Sequence, residues 1–577
     1  MENRINGKDE NKAIKNSRQG IRLLLTVVLA FFAVMSMVVP VNAKVEKNAS
    51  DVAALKKIIK EQKEQVETTV QAAELSTRDT KEVTEAMMKS LDQLENLDGR
   101  RYSWSFEGRL IGLRWSNLFL NGDISFAGLP ELRALYVNQF GVVGDDAFGG
   151  LKSMDISKNK KLIRLECFEN KLTSLDVSKN EELSRLDCHG NFIEKLVLNK
   201  KLVDLVCNGN ALSSLDVSKS PNLTHLMCSN NQLTKLNVKK NPELSSLNFE
   251  NNKLTSINIR KNPELSSLNF ENNKLTSINI RKNPKLSDLC CSGNKLTRLD
   301  ISKNPNLWQL KCSDNQLDSL DVSKAVDLSR LECGNNYLRS LDISKNPNLR
   351  RLECSDNQLD SLDVSKAVDL SHLECGNNHL RSLDIRKSLE MEELDCSKNN
   401  LTRLDIGKQV KLKTLRCSDN QLSNLDVSKA VALHRLECGN NQLSSLDVSK
   451  AVDLYHLECG NNQLSSLDIR KNLNLQWLNC SDNQLGSLDV SKNPELSTLD
   501  CSKNNLTRLD LGNQAELHTL RCSDNQLNSL DCSKNLCSYR LLDCSNNPLS
   551  SLIVYSKPSE LICDDNVIIT VIFRYNS

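Results

Sequence analysis

Aromatic residues and net charge are both scarce in this chain of 577 residues. Phe, Trp and Tyr make up 4% of the sequence, and the formal net charge is +2. The near-neutral balance leaves no overall basic field, so a nucleic-acid-binding protein is not expected. Leu, Asn, Ser, Asp and Lys recur instead, which is the usage that a short unit copied many times produces.

Motifs for catalysis and for metal or phosphate binding are also missing. The sequence contains no G-x-S-x-G, no phosphate-binding loop, no H-E-x-x-H and no C-x-x-C. The seven histidines have neither a metal-ligand spacing nor an evident nucleophile beside them. We therefore predict a protein that is not an enzyme and that needs no cofactor.

The N-terminal residues 1–43 are typical of a secretory signal peptide. A basic segment leads into the apolar run 23–39, and Val41 and Ala43 are small residues at positions −3 and −1 of a cleavage site. The run is shorter than the ~20 residues that span a bilayer, so export with cleavage after Ala43 is favoured over a membrane anchor. The mature chain is expected to have no transmembrane span, and no lipidation cysteine, sorting signal or hydrophobic tail indicates how it would be anchored.

Residues 44–98 are rich in Ala, Lys, Glu and Gln, and they predict a helical segment. Ser50 or Asp51 is the expected N-cap, and a second helix is expected to start near Asp79. The first helix is indicated by apolar residues at helical spacing, namely Val52, Leu55, Ile58 and Ile59. We interpret the segment as a spacer or a lid on the next domain, and a coiled-coil dimerisation helix is the alternative.

A repeat of 21 residues dominates the rest of the chain. From Cys167 to Cys563 the frame L-x-x-L-x-[C/F]-x-x-N-x-L occurs 20 times, and 16 of the 19 intervals are 21 residues. The frame predicts an array over 156–577 that ends in a capping strand. Residues 99–155 are expected to be degenerate first repeats that form an N-terminal cap.

Each repeat is expected to contribute one short strand to a parallel sheet. In "LSRLEC" the side chains of Leu328, Leu331 and Cys333 point inward. Those of Arg330 and Glu332 point outward. Stacked coils advance by about 4.8 Å, and the inward leucines of one coil are buried only by the next coil.

A buried asparagine follows the cysteine by three residues in all 20 frames. It is expected to bond backbone groups of its own and neighbouring coils, because an unpaired buried amide is costly. The second half of the repeat returns the chain, with Ser and Asn-Pro supplying its turns. Representative residues of the predicted structural ladder are Cys333, Cys354, Cys375, Asn336, Asn357 and Asn378.

The frame L-x-x-L-x-C-x-x-N-x-L-x-x-L-D-V-S-x-N resembles the bacterial leucine-rich repeat. It is similar in particular to the 21-residue, cysteine-bearing variety of internalin J-like surface proteins. The resemblance implies a curved solenoid with a stack of buried cysteines, and a role in adhesion or protein recognition at a bacterial surface. We predict an α/β-type repeat solenoid, a right-handed, curved horseshoe with a concave parallel β-sheet and mostly loops and turns on its convex side, preceded by a short helical segment.

The 21 cysteines would usually suggest a disulfide framework in an exported protein. Ladder cysteines lie on successive parallel strands and point the same way, whereas a disulfide needs Cβ atoms about 3.8 Å apart. A straight row also cannot form a tetrahedral zinc site. Phe249 and Phe270 occupy the same slot in two frames, and phenylalanine can neither ligate a metal nor oxidise. We predict buried free thiols.

Three cysteines fall outside the ladder. Cys532 replaces an inward valine and is predicted to lie in the core. Cys537 lies in an enlarged turn and is either free or paired. Cys290 falls at an outward position beside Cys291, and we expect an exposed thiol there, either passive or reactive.

The outward strand positions line the predicted concave face, which is the usual ligand surface of a solenoid. Charged residues dominate both ends of this face, and a less charged window separates them. The acidic row is compensated by adjacent Arg and His, which opposes the alternative of calcium binding along it. Candidate binding residues are His225, Met227, Asn248, Asn269, Trp308, Gln309, Tyr455, His456 and Trp477.

These observations predict a secreted or surface-exposed monomer that binds a protein partner or a surface polymer. The leading hypothesis is protein–protein recognition or adhesion through the concave face. The alternatives are a glycan or cell-envelope polymer binding module, and a passive spacer or self-associating fibre.

Overall fold

A computed structural model describes residues 46–72, 88–92, 94, 96–97, 100–118, 120–139, 150–535 and 538–572. The predicted signal peptide, the start of the second predicted helix at Asp79, and Cys537 lie outside the described residues.

Very short strands, one or two to a coil, make up almost all of the regular structure. Residues 88–92 are helical. In chain order the other elements are helix α1 (Ala49–Ala72) and strands β1 (Tyr102–Trp104), β2 (Leu110–Arg114), β3 (Asn121–Ser125), β4 (Ala134–Tyr136), β5 (Gly150–Asp155), β6 (Arg164–Glu166), β7 (Ser174–Asp176), β8 (Arg185–Asp187), β9 (Lys195–Val197), β10 (Asp204–Val206), β11 (His225–Met227), β12 (Ser246–Asn248), β13 (Ser267–Asn269), β14 (Asp288–Cys290), β15 (Gln309–Lys311), β16 (Arg330–Glu332), β17 (Arg351–Glu353), β18 (His372–Glu374), β19 (Glu393–Asp395), β20 (Thr414–Arg416), β21 (Arg435–Glu437), β22 (His456–Glu458), β23 (Trp477–Asn479), β24 (Ser487–Asp489), β25 (Thr498–Asp500), β26 (Arg508–Asp510), β27 (Thr519–Arg521), β28 (Ser529–Cys532), β29 (Leu541–Asp543), β30 (Ser551–Val554), β31 (Glu560–Ile562) and β32 (Ile568–Val571).

One sheet of 23 strands extends from Tyr102 to Ile562. It starts with the antiparallel pair β1–β2 and continues in parallel from β2 through β4, β6 and β8 to β31. The strands pair in register, so that Leu331 lies opposite Leu352 and Leu352 opposite Leu373. The second halves of the coils are mostly irregular, with small sheets at β3–β5, β7–β9, β24–β26 and β28–β30–β32. The fold prediction is confirmed: the molecule is a leucine-rich-repeat solenoid.

The core is a stack of identical layers. Leu328, Leu331 and Cys333 are each 0% exposed, and the equivalent residues of the other coils are buried in the same way. Phe249 and Phe270 occupy two adjacent cysteine slots and stack on each other, with ring centroids 5.8 Å apart. The slot holds either cysteine or phenylalanine, so it requires a side chain that fills space and not a thiol.

The turn after the main-sheet strands has a left-handed backbone, and most coils place Asn, Asp or Gly there, although Glu169, Lys398 and Lys503 adopt the same conformation. Asn335 has a φ of 49° and Asp356 a φ of 56°, and a glycine such as Gly293 takes this position in other coils. Asn, Asp and Gly adopt this conformation at the least steric cost. The asparagine that follows is then directed into the core.

Helix α1 packs against the first coils of the solenoid. Its Gln62 side chain accepts a hydrogen bond from the Asn121 amide (2.8 Å), and Leu55, Ile58 and Ile59 are buried. The predicted N-cap at Ser50 or Asp51 is wrong, because the Asn48 side chain accepts from the amides of residues 50 and 51.

Asp51 is instead a buried anchor for the N-terminal helix. Its carboxylate accepts from the Arg109 guanidinium at 2.9 and 3.0 Å and from the Leu110 amide at 2.9 Å. The Asp51 side chain is 1% exposed. The charge is thus tied to the first parallel strand, a role that helical periodicity cannot indicate.

Cys290 corrects a second expectation. The residue does lie on the outward side of its strand, but it is only 8% exposed, so the expected exposed thiol is wrong. Neighbouring side chains cover it, and Gln309 Nε2 lies 3.8 Å from its sulfur. Burial is the main reason that the pKa of the Cys290 thiol is raised to about 12, and the negative charge of the nearby Asp288 carboxylate acts in the same direction. Such a thiol is protonated at neutral pH and is a weak nucleophile.

The other described cysteines are free, and all but the half-buried Cys563 are buried. Burial raises the thiol pKa along the ladder, for example to about 12 at Cys333. Cys532 is 1% exposed and lies in the core, as predicted. Within the described residues, no group of three His, Cys, Asp or Glu could hold a metal ion, and no helix is long and apolar enough to cross a membrane.

Candidate binding surface on the concave sheet

Two ladders of buried asparagines connect neighbouring coils. In the first, Asn336 Nδ2 donates to the carbonyls of Cys312 (3.0 Å), Cys333 and Gly334, and its Oδ1 accepts from the Leu317 amide (3.0 Å). Asn357 and Asn378 repeat this pattern in the next coils. Each side chain therefore connects its own coil to the preceding one.

The second ladder lies in the return half of the coil, where only turn chemistry was expected. Asn346 is 0% exposed, and its Nδ2 donates to the carbonyls of Val322 (3.1 Å) and Ala325 (2.7 Å). Its Oδ1 is buried without a partner. Alanine replaces the asparagine in some coils, as at Ala367, so an asparagine is not required at every position of this second ladder.

Ion pairs cover much of the concave face. Within single strands, Arg330 pairs with Glu332 and Arg351 with Glu353. Arg351 also reaches Glu374 of the next strand at 3.3 Å. The in-register acidic row is thus largely neutralised by neighbouring cations, and Glu332 is only 9% exposed although it points outward.

Burial and mutual repulsion affect the carboxylates in this row. The pKa of Glu374 is raised, first by burial and then by Glu353. The pKa of Glu458 is raised by burial and then by Glu437. The face is therefore crowded, and the charges of Arg351 and Arg435 oppose the rise in pKa of Glu374 and Glu458 respectively.

The less charged window spans strands β10 to β14. His225 is exposed and Met227 half-buried on β11. Asn248 and Asn269 are in register on neighbouring strands, and Asn269 Nδ2 donates to the Glu250 carboxylate at 3.1 Å. This window offers amide groups and one exposed imidazole.

Trp308 and Gln309 are consecutive residues that lie far from the aromatic candidates Tyr455, His456 and Trp477. Trp308 is 47% exposed and precedes β15, while Gln309 donates to Asp288 at 2.8 Å. Eight strand steps of about 4.8 Å separate β15 from β23, which contains Trp477. The structure therefore does not join Trp308 to the cluster around Trp477.

The candidates Tyr455, His456 and Trp477 lie in two ring pairs on neighbouring coils. The imidazole of His456 stacks on the Trp477 indole, with centroids 4.3 Å apart and planes 2° apart. The His434 ring lies 6.4 Å from that of Tyr455, which is 42% exposed. We call His434, Tyr455, His456 and Trp477 the aromatic cluster.

His456 is held neutral within this cluster. Burial, and then the charge of Arg435, lowers its pKa to about 4. Its Nε2 is buried and has no hydrogen-bond partner among the described residues. A neutral imidazole stacks on indole without the cost of a desolvated charge.

Two further features were not predicted from the sequence. Phe168 stacks on His189 at 4.5 Å near the first coils, where two residues of successive frames fall in register. On the outer surface, aliphatic residues about half exposed recur at one turn position, where other repeats have Pro. This outer aliphatic row consists of Val326, Val368, Leu389, Val410, Val431, Val452 and Leu473.

The fold and the ladders define the class of the protein: a leucine-rich-repeat solenoid with a buried cysteine ladder. Among solved structures, the functional domain of InlJ from Listeria monocytogenes, which includes a cysteine ladder, is similar at 29% identity. That match covers 61% of this chain and 70% of the InlJ chain, with a TM-score of 0.50.

Two further solved structures share the fold. A leucine-rich-repeat protein of Leptospira interrogans is 25% identical over 57% of this chain and 92% of its own, with a TM-score of 0.52. YopM from Yersinia enterocolitica is 23% identical over 88% of this chain and 100% of its own, with a TM-score of 0.63. No protein-family model and no curated protein matches the chain.

Proposed function

We propose that this protein is exported and recognises another protein through the concave sheet, with the aromatic cluster at the centre of the contact. The observation that carries the proposal is the stack of His456 on Trp477, next to the exposed Tyr455, on a face where many charged side chains are ion-paired. Aromatic residues concentrate in the hot spots of protein interfaces, and solenoids bind along their concave surfaces.

The rest of the proposed organisation follows from the sequence and from the likeness to InlJ. Residues 1–43 act as a signal peptide, 44–98 as a lid, 99–155 as a cap, and 156–577 as the array. The mature chain works outside the cell or at a bacterial surface, as a monomer and without catalytic activity. The candidates His225, Met227, Asn248, Asn269, Trp308 and Gln309 extend the contact toward the N-terminal coils.

Binding assays with paired variants test this proposal. Purified protein is presented to arrays of surface proteins and of polysaccharides, and the hits are quantified by biolayer interferometry. Trp477→Ala with Tyr455→Ala should weaken a protein hit at least about tenfold, since interface aromatics each contribute on the order of 1–2 kcal/mol or more. The matched control is Val431→Ser in the outer aliphatic row, which should leave binding unchanged.

The alternative function is binding of a glycan or cell-envelope polymer. The flat indole of Trp477, standing among polar side chains, is the observation that favours it. If the protein binds only polysaccharides saturably, and the double variant loses this binding, the partner is a polymer and not a protein. Loss of binding in Val431→Ser but not in the double variant would contradict the concave face as the contact.

A further inference from the structure

Three consecutive coils concentrate positive charge on the outer side of the solenoid. Residues 235–285 contain ten Lys and Arg against four Glu, a formal net charge of +6, whereas the whole chain has +2, so the other residues sum to −4. The return half of each of these coils has an exposed turn with two adjacent basic residues. This basic patch consists of Lys239, Lys240, Arg260, Lys261, Arg281 and Lys282.

An exchange of residue types at the turn creates the basic patch. Most coils read Asp-x-Ser-Lys here, as at Asp363, whose carboxylate accepts from the Ser365 amide at 2.9 Å. In the three coils of the patch, Asn replaces the Asp and Lys or Arg replaces the Ser. The Asn258 side chain accepts from the Arg260 amide at 3.2 Å. The turn therefore keeps its hydrogen bond and loses its negative charge.

Two other coils show how the aspartate acts on an arginine at this turn. They read Asp-Ile-Arg-Lys, and Asp384 accepts from the Arg386 guanidinium at 2.9 and 2.7 Å. Asp468 binds Arg470 in the same way, at 2.9 and 2.8 Å. The patch coils lack this carboxylate. Among the described residues, the single ion pair of the six patch cations joins Arg281 to Asp300 of the next coil, at 3.3 Å.

The second asparagine ladder holds the patch cations close together. Each patch turn is followed directly by an asparagine of this ladder. Asn262 Nδ2 donates to the Asn241 carbonyl at 2.8 Å, and Asn283 Nδ2 donates to the Asn262 carbonyl at 2.8 Å. With a step of about 4.8 Å, the three turns span about 10 Å. This span is comparable to the Debye length at 0.1 M salt, so the cations act together on one anionic ligand.

The basic patch has charge but no exposed aromatic surface. The aromatic residues of 235–285 are Phe249 and Phe270, and both are 0% exposed. Protein interfaces concentrate aromatic residues in their hot spots, and single-stranded nucleic acids are held by stacking on aromatic rings. A ligand recognised by charge alone, at regular steps along the array, is a linear polymer with an anionic group in its repeating unit.

We propose that the basic patch binds an anionic polysaccharide, a linear glycan that carries sulfate or phosphate groups. The glycan crosses the three coils along the axis of the array and meets two cations at each step. An ammonium group binds such an oxyanion as a point charge, and a guanidinium can donate to two of its oxygens. The patch lies between β11 and β14, far from the aromatic cluster at β22 and β23. It is a second surface, and it goes beyond the proposed function.

The test measures binding of the purified protein to dextran sulfate by biolayer interferometry. Neutral dextran, polyglutamate and oligothymidylate are the comparison probes, each at the same sugar concentration or the same concentration of negative charge. Dextran sulfate should bind saturably, neutral dextran should not bind, and the other two polyanions should bind more weakly. Binding of dextran sulfate should weaken steeply as salt is raised.

A double variant, Asn258→Asp with Asn279→Asp, tests the basis of the site. Each change recreates the turn that begins at Asp384, so the variant should fold with an unchanged or higher Tm. The dissociation constant for dextran sulfate should rise about tenfold at low salt, because two arginines gain a partner within the chain. The matched control, Asn424→Asp with Asn528→Asp, adds the same charge at exposed positions outside the patch and should change it less than about twofold.

Three results overturn the inference: no effect of Asn258→Asp with Asn279→Asp, an equal loss in the control, or tighter binding of polyglutamate or oligothymidylate than of dextran sulfate. The proposed function is tested separately. Trp477→Ala with Tyr455→Ala should leave the binding of dextran sulfate unchanged, and the patch variant should retain a protein partner that binds the concave sheet.

Discussion

Two buried asparagines eleven residues apart should differ sharply in their contribution to stability. Asn357 belongs to the first ladder and Asn346 to the second, and they are 7% and 0% exposed. Exposure alone would rank Asn346 as the more sensitive. The hydrogen bonds predict the opposite order.

Asn357→Ala removes the only acceptor found for a buried amide. Asn357 Oδ1 accepts from the Leu338 amide at 3.0 Å, and its Nδ2 donates to the carbonyls of Cys333, Cys354 and Ser355. A buried donor left without a partner costs about 1–3 kcal/mol, and the lost donor bonds add roughly 1 kcal/mol. We expect a loss of about 3 kcal/mol.

Asn346→Ala should cost about 1 kcal/mol or less, because few groups lose their last partner. The carbonyls of Val322 and Ala325 still accept from the amides of Ala325 and Leu328, at 3.0 and 3.1 Å. The variant also removes Asn346 Oδ1, which is buried without a partner. Coils with alanine at this position, such as that of Ala367, already tolerate the change.

Guanidinium unfolding followed by circular dichroism measures the two free energies of unfolding. Because solenoid coils depend mainly on their neighbours, hydrogen exchange over residues 328–378 should be read in parallel for local opening. Equal losses for the two variants, or a larger loss for Asn346→Ala, would refute the argument from hydrogen bonds.

Three further predictions concern other parts of the molecule. A thiol reagent should label few of the 21 cysteines in the native protein and nearly all of them after denaturation without reductant. Thiols that react only after reduction would show that the ladder cysteines form disulfides. Asp51→Ala should destabilise the N-terminal coils by about 3 kcal/mol, seen as faster hydrogen exchange there, since Arg109 loses its partner. The free energy of unfolding should fall as pH drops from about 6.5 to 4, because the pKa of His456 is about 4 in the folded protein and about 6.5 in the unfolded chain. The unfolded chain therefore binds a proton in this range that the folded protein does not. In NMR titrations Trp477→Ala should raise the pKa of His456; an unchanged value would contradict burial by the stack.

Sequence periodicity was sufficient to predict the sheet, because each coil repeats the same inward pattern. One apolar face with a period of two residues, repeated every 21 residues, permits a single way of burying its leucines. The left-handed turn and the first asparagine ladder follow from the same frame. The described cysteines are free, in agreement with the expectation drawn from the strand geometry and from Phe249 and Phe270.

The errors arose where a residue's environment depends on neighbouring coils. Cys290 occupies an outward position, yet Gln309 of the next strand helps to cover it. Asn48 caps helix α1, whereas the carboxylate of Asp51, one of the two predicted caps, binds the Arg109 guanidinium instead. Alternation along a strand indicates the direction of a side chain but not what the adjacent coil places over it.

The sequence by itself determined the coil, its period and the residues that fill its core, because these depend on short-range pattern and on burial of apolar surface. Only the tertiary structure decided which side chains of separate coils become neighbours on the concave face. The stack of His456 on Trp477, and the ion pair between Arg351 and Glu374, both depend on the register of strands whose residues are 21 apart in the chain. Registered stacking makes such distant residues direct neighbours about 4.8 Å apart, and it is this proximity that sets charge, exposure and the candidate binding site.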